Sequence, residues 1–242
     1  MELINQWWQQ LLAGFARAQV PEVTAIELLI IALAAAALSI PATTWRYFGL
    51  FTTVVHELGH AFTALMTGRL LTGITLNRDH SGMTTSYGRG GWRTVWSGFW
   101  GYPVPAVVGA VLVWAGLSGW GPAATSVGAL VLLATILFIR NWMGLLIMMG
   151  AVVVSAVLIL AVPASFTGHV VIGLGLALLV GSVRDLINVI TVHTSRRRSV
   201  DQSDAYLLYR QTHIPSVVWL LLFTVVVGLS WTFAGYVINS RI

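Results

Sequence analysis

His56-Glu57-Leu58-Gly59-His60 is the segment of this 242-residue sequence whose residue types and spacing best specify a reaction. On an α-helix, positions four apart share a face, so both imidazoles can reach one metal ion. Glu57 stands beside the first of them, where it can take a proton from water bound to that ion. A catalytic zinc lowers the pKa of such a water to about 7, which supplies hydroxide at neutral pH. The expected cofactor is Zn2+, with His56 and His60 as ligands and Glu57 as general base. The chain has no cysteine, so any further ligand must be His, Asp or Glu.

The elements that hold this motif are read from composition. Hydrophobic residues make up 57% of the chain and charged residues 9%, with a mean hydropathy of +0.83. A soluble domain of this size carries roughly a quarter charged residues, so the expected fold is an all-α polytopic membrane protein. Seven apolar runs near 22–40, 45–67, 97–117, 124–140, 143–162, 169–193 and 214–238 predict about seven transmembrane helices. After the second run, residues 70–91 are rich in Thr and Gly, with a turn around Asn77-Arg78-Asp79-His80-Ser81-Gly82. They predict a membrane-associated β-hairpin. Residues 1–20 put Ile4, Trp7, Trp8, Leu11, Leu12 and Phe15 on one helical face, the pattern of a helix lying in the membrane interface. Residues 21–242 then form a single transmembrane domain, with a cytoplasmic loop at about 194–213.

All 13 basic residues are arginine. With seven spans, Arg17, Arg69, Arg78, Arg89, Arg93, Arg140, Arg196, Arg197, Arg198 and Arg210 fall on one side, and only Arg46 and Arg241 on the other. The positive-inside rule makes the first side cytoplasmic, with the N-terminus inside and the C-terminus outside. The basic pI of about 10.2 thus points to lipid headgroups and not to nucleic acid. The expected location is a cell membrane, that of a bacterium.

Catalytic zinc usually has three protein ligands and a water. An extended zincin motif would continue with Gly at 63 and His at 66, where Thr63 and Met66 stand. No glutamate lies downstream, because the four in the chain are Glu2, Glu22, Glu27 and Glu57. The downstream carboxylates are Asp79, in the hairpin turn, Asp201 and Asp204, in the cytoplasmic loop, and Asp185, inside the sixth span. At 1.5 Å per residue, His60 lies about 10 Å and His56 about 16 Å from the cytoplasmic end of the second span, and Asp185 about 12 Å from that of the sixth. Equal depth on parallel helices selects Asp185 as third ligand. Glu27 is the alternative, although its place in the first turns of a helix also suits the dipole.

Beside these residues, the sequence resembles the site-2 protease family of intramembrane zinc metallopeptidases, and its B-like branch in particular. The resemblance rests on Val54-Val55-His56-Glu57-Leu58-Gly59-His60-Ala61 in a membrane helix, the hairpin after it and an Asp in a later helix. Ser203-Asp204-Ala205 and Thr212-His213-Ile214-Pro215 before the last span also match. It covers about residues 45–220. It implies hydrolysis of peptide bonds in single-span membrane proteins, with Asp185 matching the aspartate ligand. The chain departs from the family pattern in two places. Arg184-Asp185-Leu186 replaces the usual Leu-Asp-Gly, and Gly98-Phe99-Trp100-Gly101-Tyr102-Pro103 replaces a Gly-Pro motif with a nearby Asn. Asn141 and Asn188 are the stand-ins for a residue that steadies the oxyanion.

The hairpin offers an edge on which an unwound substrate can pair as an added strand, which would satisfy backbone groups that lipid cannot. Ile74, Thr75, Leu76, Thr84 and Thr85 are the candidate substrate-binding residues. The competing class is a non-proteolytic metal-binding scaffold or a metal transporter. A transporter calls for polar residues along a path to both faces, whereas the outer halves of the third to sixth spans are almost wholly apolar.

Overall fold

The computed structural model describes residues 1–195 and 197–241. Arg196, counted above among the cytoplasmic arginines, lies outside them. The chain is mostly helical. In order it forms α1 (Glu2–Ala13), α2 (Ala25–Ser39), α3 (Ala42–Met66), β1 (Leu70–Leu76), β2 (Gly82–Tyr87), α4 (Trp92–Phe99) and α5 (Pro103–Leu117). Then come α6 (Gly121–Ile136), α7 (Trp142–Ala161), α8 (Ala164–Thr194), a 3-10 turn at Arg197–Gln202, α9 (Asp204–Thr212) and α10 (Ser216–Asn239). Prolines mark where many of these helices start: Pro41, Pro163 and Pro215 sit at the N-caps, and Pro103 and Pro122 in the first turns. A missing N–H costs nothing at a helix start, where it would have no partner in any case.

Three helices, α7, α8 and α10, are long and apolar enough to cross a membrane; α6, with 16 residues, is shorter. Two bent pairs also qualify when each is taken as one span: α2 with α3, which turn by 90°, and α4 with α5, which turn by 57°. Seven separate full-length spans are not found among the described residues. The expected first and second spans form one bent pair, broken at Ile40-Pro41. Arg184 of α8 holds that corner. Its guanidinium donates to the carbonyls of Ser39 (3.0 Å) and Ile40 (2.6 Å) at the end of α2 and lies 4.6 Å from the Trp45 ring. Carbonyls at a helix C-terminus lack partners within the helix, and a cation there satisfies them.

The core centres on α5 and α8. Gly109 and Gly175 face each other so closely that a Cβ on either would stand 2.7 Å or less from the other's carbonyl oxygen. Where lipid gives helices no hydrophobic drive to associate, such close backbone packing supplies the contact. Gly116 meets Gly168 farther along, so α5 and α8 are antiparallel. By contrast, α2 runs parallel to α8. Pro21 touches Gly168, Ile31 reaches Gly173, and Ser39 bonds the Ala177 carbonyl. The seven-span layout had these two segments running in opposite directions.

The predicted hairpin forms as β1 and β2, antiparallel, with Ile74 opposite Thr84 and Leu76 opposite Gly82. Asp79 accepts from the Ser81 amide and hydroxyl, and His80 takes φ 63° at the tip. The outward edge of β1 is already occupied by the link between α6 and α7. The Ile74 amide donates to Phe138, the Arg140 amide donates to Ile74, and the Asn141 side chain bonds both the amide and the carbonyl of Leu76. Among the described residues, β2 makes backbone-to-backbone bonds only with β1.

Candidate metal centre

The two imidazoles lie one helical turn apart on α3, with their Nε2 atoms 3.2 Å from each other. The carboxylate that faces them belongs to Asp204. Its Oδ2 is 3.2 Å from the Nε2 of His56 and 3.2 Å from that of His60. Three ligating atoms around a tetrahedral ion with bonds of about 2.0 Å would stand about 3.3 Å apart. The observed triangle matches that spacing.

The protonation pattern makes the same point. His60 donates its Nδ1–H to the Ser97 carbonyl (2.7 Å), while the Ser97 hydroxyl donates to the His60 carbonyl (2.9 Å). A backbone acceptor on Nδ1 fixes the tautomer that leaves a lone pair on Nε2, the usual arrangement behind a metal-bound histidine. Asp204 Oδ2 is buried and accepts no hydrogen bond among the described residues. Burial alone would push the Asp204 carboxyl up, but positive charge on the facing His60 and His56 outweighs it and holds the group below the usual carboxylate range, and a bound metal ion would supply that charge in place of the imidazole protons. Lone pairs thus converge on one point, which a cation would relieve.

Neighbouring groups shape the centre. Tyr102 sets its ring edge-on to His56, with centroids 4.8 Å apart, and stacks on the fully buried Phe223 at 5.5 Å. A Cβ at Gly101 would stand 2.6 Å from Asp204 Oδ2 and closer still to His60, so only glycine leaves room there. Glu57 is buried beside the first histidine, and its Oε2 accepts from the Thr84 hydroxyl at 2.6 Å.

Asp204 reaches the site from the first position of α9. Ser203 caps that helix by accepting from the Tyr206 amide, and His193 of α8 contacts the Ser203 hydroxyl at 2.8 Å. Ala205 and Leu208, both buried, seat α9 on the main core. The segment expected as a cytoplasmic loop is therefore largely ordered helix.

Among the described residues the carboxylate grouped with the two histidines is that of Asp204 and not that of Asp185. Asp185 lies outside the group formed by His56, His60 and Asp204, and it makes no ion pair among the described residues. The depth comparison assumed two parallel straight helices, but α3 leaves α2 at 90° and crosses α8 near Gly181, which touches both Trp45 and Thr52. Equal distance from a helix end is then not equal position. Glu27 is committed to the capping box of α2, where it accepts from the Thr24 amide and hydroxyl. Asn141, one oxyanion candidate, is spent on Leu76. Asn188, the other, is exposed and lines a cavity of about 150 Å³ with Tyr102, Val189, Val192, Gln202 and Ser203. Ile74 and Leu76 are buried beneath the α6–α7 link, while Thr84 and Thr85 stand on β2, where the Thr85 carbonyl accepts from Thr72 and the Ser86 carbonyl from Arg69. Thr75 is paired with Met83. The sequence reading placed Asp204 in a cytoplasmic loop, although Ser203-Asp204 carries the signature of a helix start.

A family model described as Peptidase M50B-like matches residues 29–234. No curated protein and no solved structure matches the chain.

Proposed function

The chain belongs to the M50B-like peptidases, a site-2 protease family of membrane metallopeptidases, and from that premise we propose that it is an intramembrane zinc endopeptidase. The observation that carries the proposal is the 3.2 Å triangle of His56, His60 and Asp204 with Glu57 beside it. In this reading Asp204, not Asp185, completes the ligand set. Bound there, zinc would polarise the scissile carbonyl and acidify an attacking water.

The chain's own residues do the rest. Glu57 takes the proton from the water and passes it to the leaving amine. The single-span substrate unwinds and pairs as a strand with β2, which has no backbone partner besides β1 among the described residues, and not with β1, whose edge is filled. Strand pairing satisfies the substrate backbone that unwinding exposes. Arg69, Arg89, Arg93, Arg140 and Arg210 stand in connections or short helices around the site, whereas Arg17 and Arg241 flank the termini. The positive-inside rule then places the metal end toward the cytoplasm. The core between α5, α8 and α10 is built from Val113, Leu117, Ile172, Leu179, Phe223 and Val227. That apolar filling offers no polar path for an ion and disfavours transport. The helix α1 exposes Leu3, Ile4, Trp8 and Leu12 while burying Leu11, which supports an interfacial position for it.

The test uses purified full-length protein in detergent with a quenched fluorescent peptide carrying one apolar span. The zinc-loaded wild type should cleave it. Glu57→Gln should retain zinc and lose cleavage, because it removes the base and no ligand. Normal turnover by Glu57→Gln would refute the mechanism.

A further inference from the structure

Thr84 makes the shortest side-chain contact to the proposed base. Its hydroxyl lies 2.6 Å from Glu57 Oε2 and 3.1 Å from the Glu57 carbonyl. One hydroxyl has one proton, and the shorter contact falls in the range of a charge-assisted O–H···O⁻ bond. On its other side the carboxylate lies against Gly82, two residues earlier on the same strand. A Cβ there would stand 2.5 Å from Oε1 and 2.7 Å from Cγ, so no larger residue fits without moving the carboxylate.

A glutamate one residue from a metal ligand needs such restraint. Its side chain has three rotatable bonds, and a nearby cation would attract both of its oxygens. A base that swung onto the ion as a ligand would no longer face the water. Thr84 is in turn held rigidly. It lies directly opposite Ile74, whose amide and carbonyl are both bonded to the α6–α7 link.

We propose that Thr84 is the positioning residue of Glu57, with β2 fixing the carboxylate so that one oxygen is held and the other is left to take the proton. This rests on the reading of Glu57 as base. It also gives the hairpin a second task, since the strand that offers an edge to substrate sets the base at the same time.

The experiment reads the carboxyl group directly. The chain has four glutamates, Glu2, Glu22, Glu27 and Glu57, so full-length protein labelled with ¹³C at the glutamate carboxyl gives four signals, and Glu57→Gln assigns the one in question. Thr84→Val should move that signal and leave the other three in place. It should also lower kcat on the quenched single-span peptide about tenfold to a hundredfold with KM unchanged, as expected when only the orientation of a reacting group is lost. Thr84→Ser, which keeps the hydroxyl, should restore both. An unmoved Glu57 signal in Thr84→Val overturns the proposal, as does a moved signal with full turnover, or a Ser variant as impaired as the Val variant. Failure of the base reading shows separately, as normal cleavage by Glu57→Gln.

Discussion

At the scale of single residues, a metal centre depends as much on what leaves it room as on what binds. Gly101 offers the cleanest test, since a methyl group there would meet His60 Nε2 and Asp204 Oδ2 together. Gly101→Ala should weaken zinc binding about tenfold or more, measured by competition with a chelator, with helix content unchanged by circular dichroism. Unaltered affinity would mean that the two ligands are not confined as the structure has them. His56, Glu57 and His60 were legible in the sequence because helical spacing alone brings two imidazoles to one face. Asp204 was not legible in this way. Ser203-Asp204 marks a helix start, but it is the docking of Ala205 and Leu208 against the core that turns the first residue of this helix toward α3.

At the scale of elements, the hairpin was readable because Thr and Gly flank a strong turn sequence. Which of its edges is filled was not readable, because that depends on Asn141, 65 residues from Leu76 in sequence. Its amide group takes both backbone groups of Leu76, as a neighbouring strand would. Removing it leaves a part-buried donor and acceptor without partners, a loss of about 1–3 kcal/mol. Asn141→Ala should therefore speed hydrogen exchange at the Leu76 amide about tenfold, while the Ile74 amide, bonded to Phe138, changes less. Equal rates at Leu76 in the variant and the wild type would show that the link between α6 and α7 does not hold β1.

For the whole molecule, the apolar runs located most of the helices but not their directions. Pro41 forbids α2 from continuing, yet nothing in Ile40-Pro41-Ala42 tells a reader that the chain turns through 90°. Counting that pair as two straight crossings put the termini on opposite sides. In the structure α10 passes Phe99 and Tyr102, at the start of α5, near its own beginning, and bonds Leu179 through Trp231 farther along. It thus heads toward the end of α5, where Arg17 and Ala18 bond Ser118 and Gly119. Reporters fused ahead of Met1 and after Ile242 should therefore report the same side, and one inserted near Gly90 the other. Termini on opposite sides would contradict this packing. The central claim joins two distant parts of the chain, the histidines of α3 and the aspartate of α9, and its most direct test is the zinc content of purified variants after dialysis. The account predicts about one zinc per chain in the wild type and in Asp185→Asn, and little or none in Asp204→Asn. A full complement in Asp204→Asn, with the metal lost from Asp185→Asn, would contradict it.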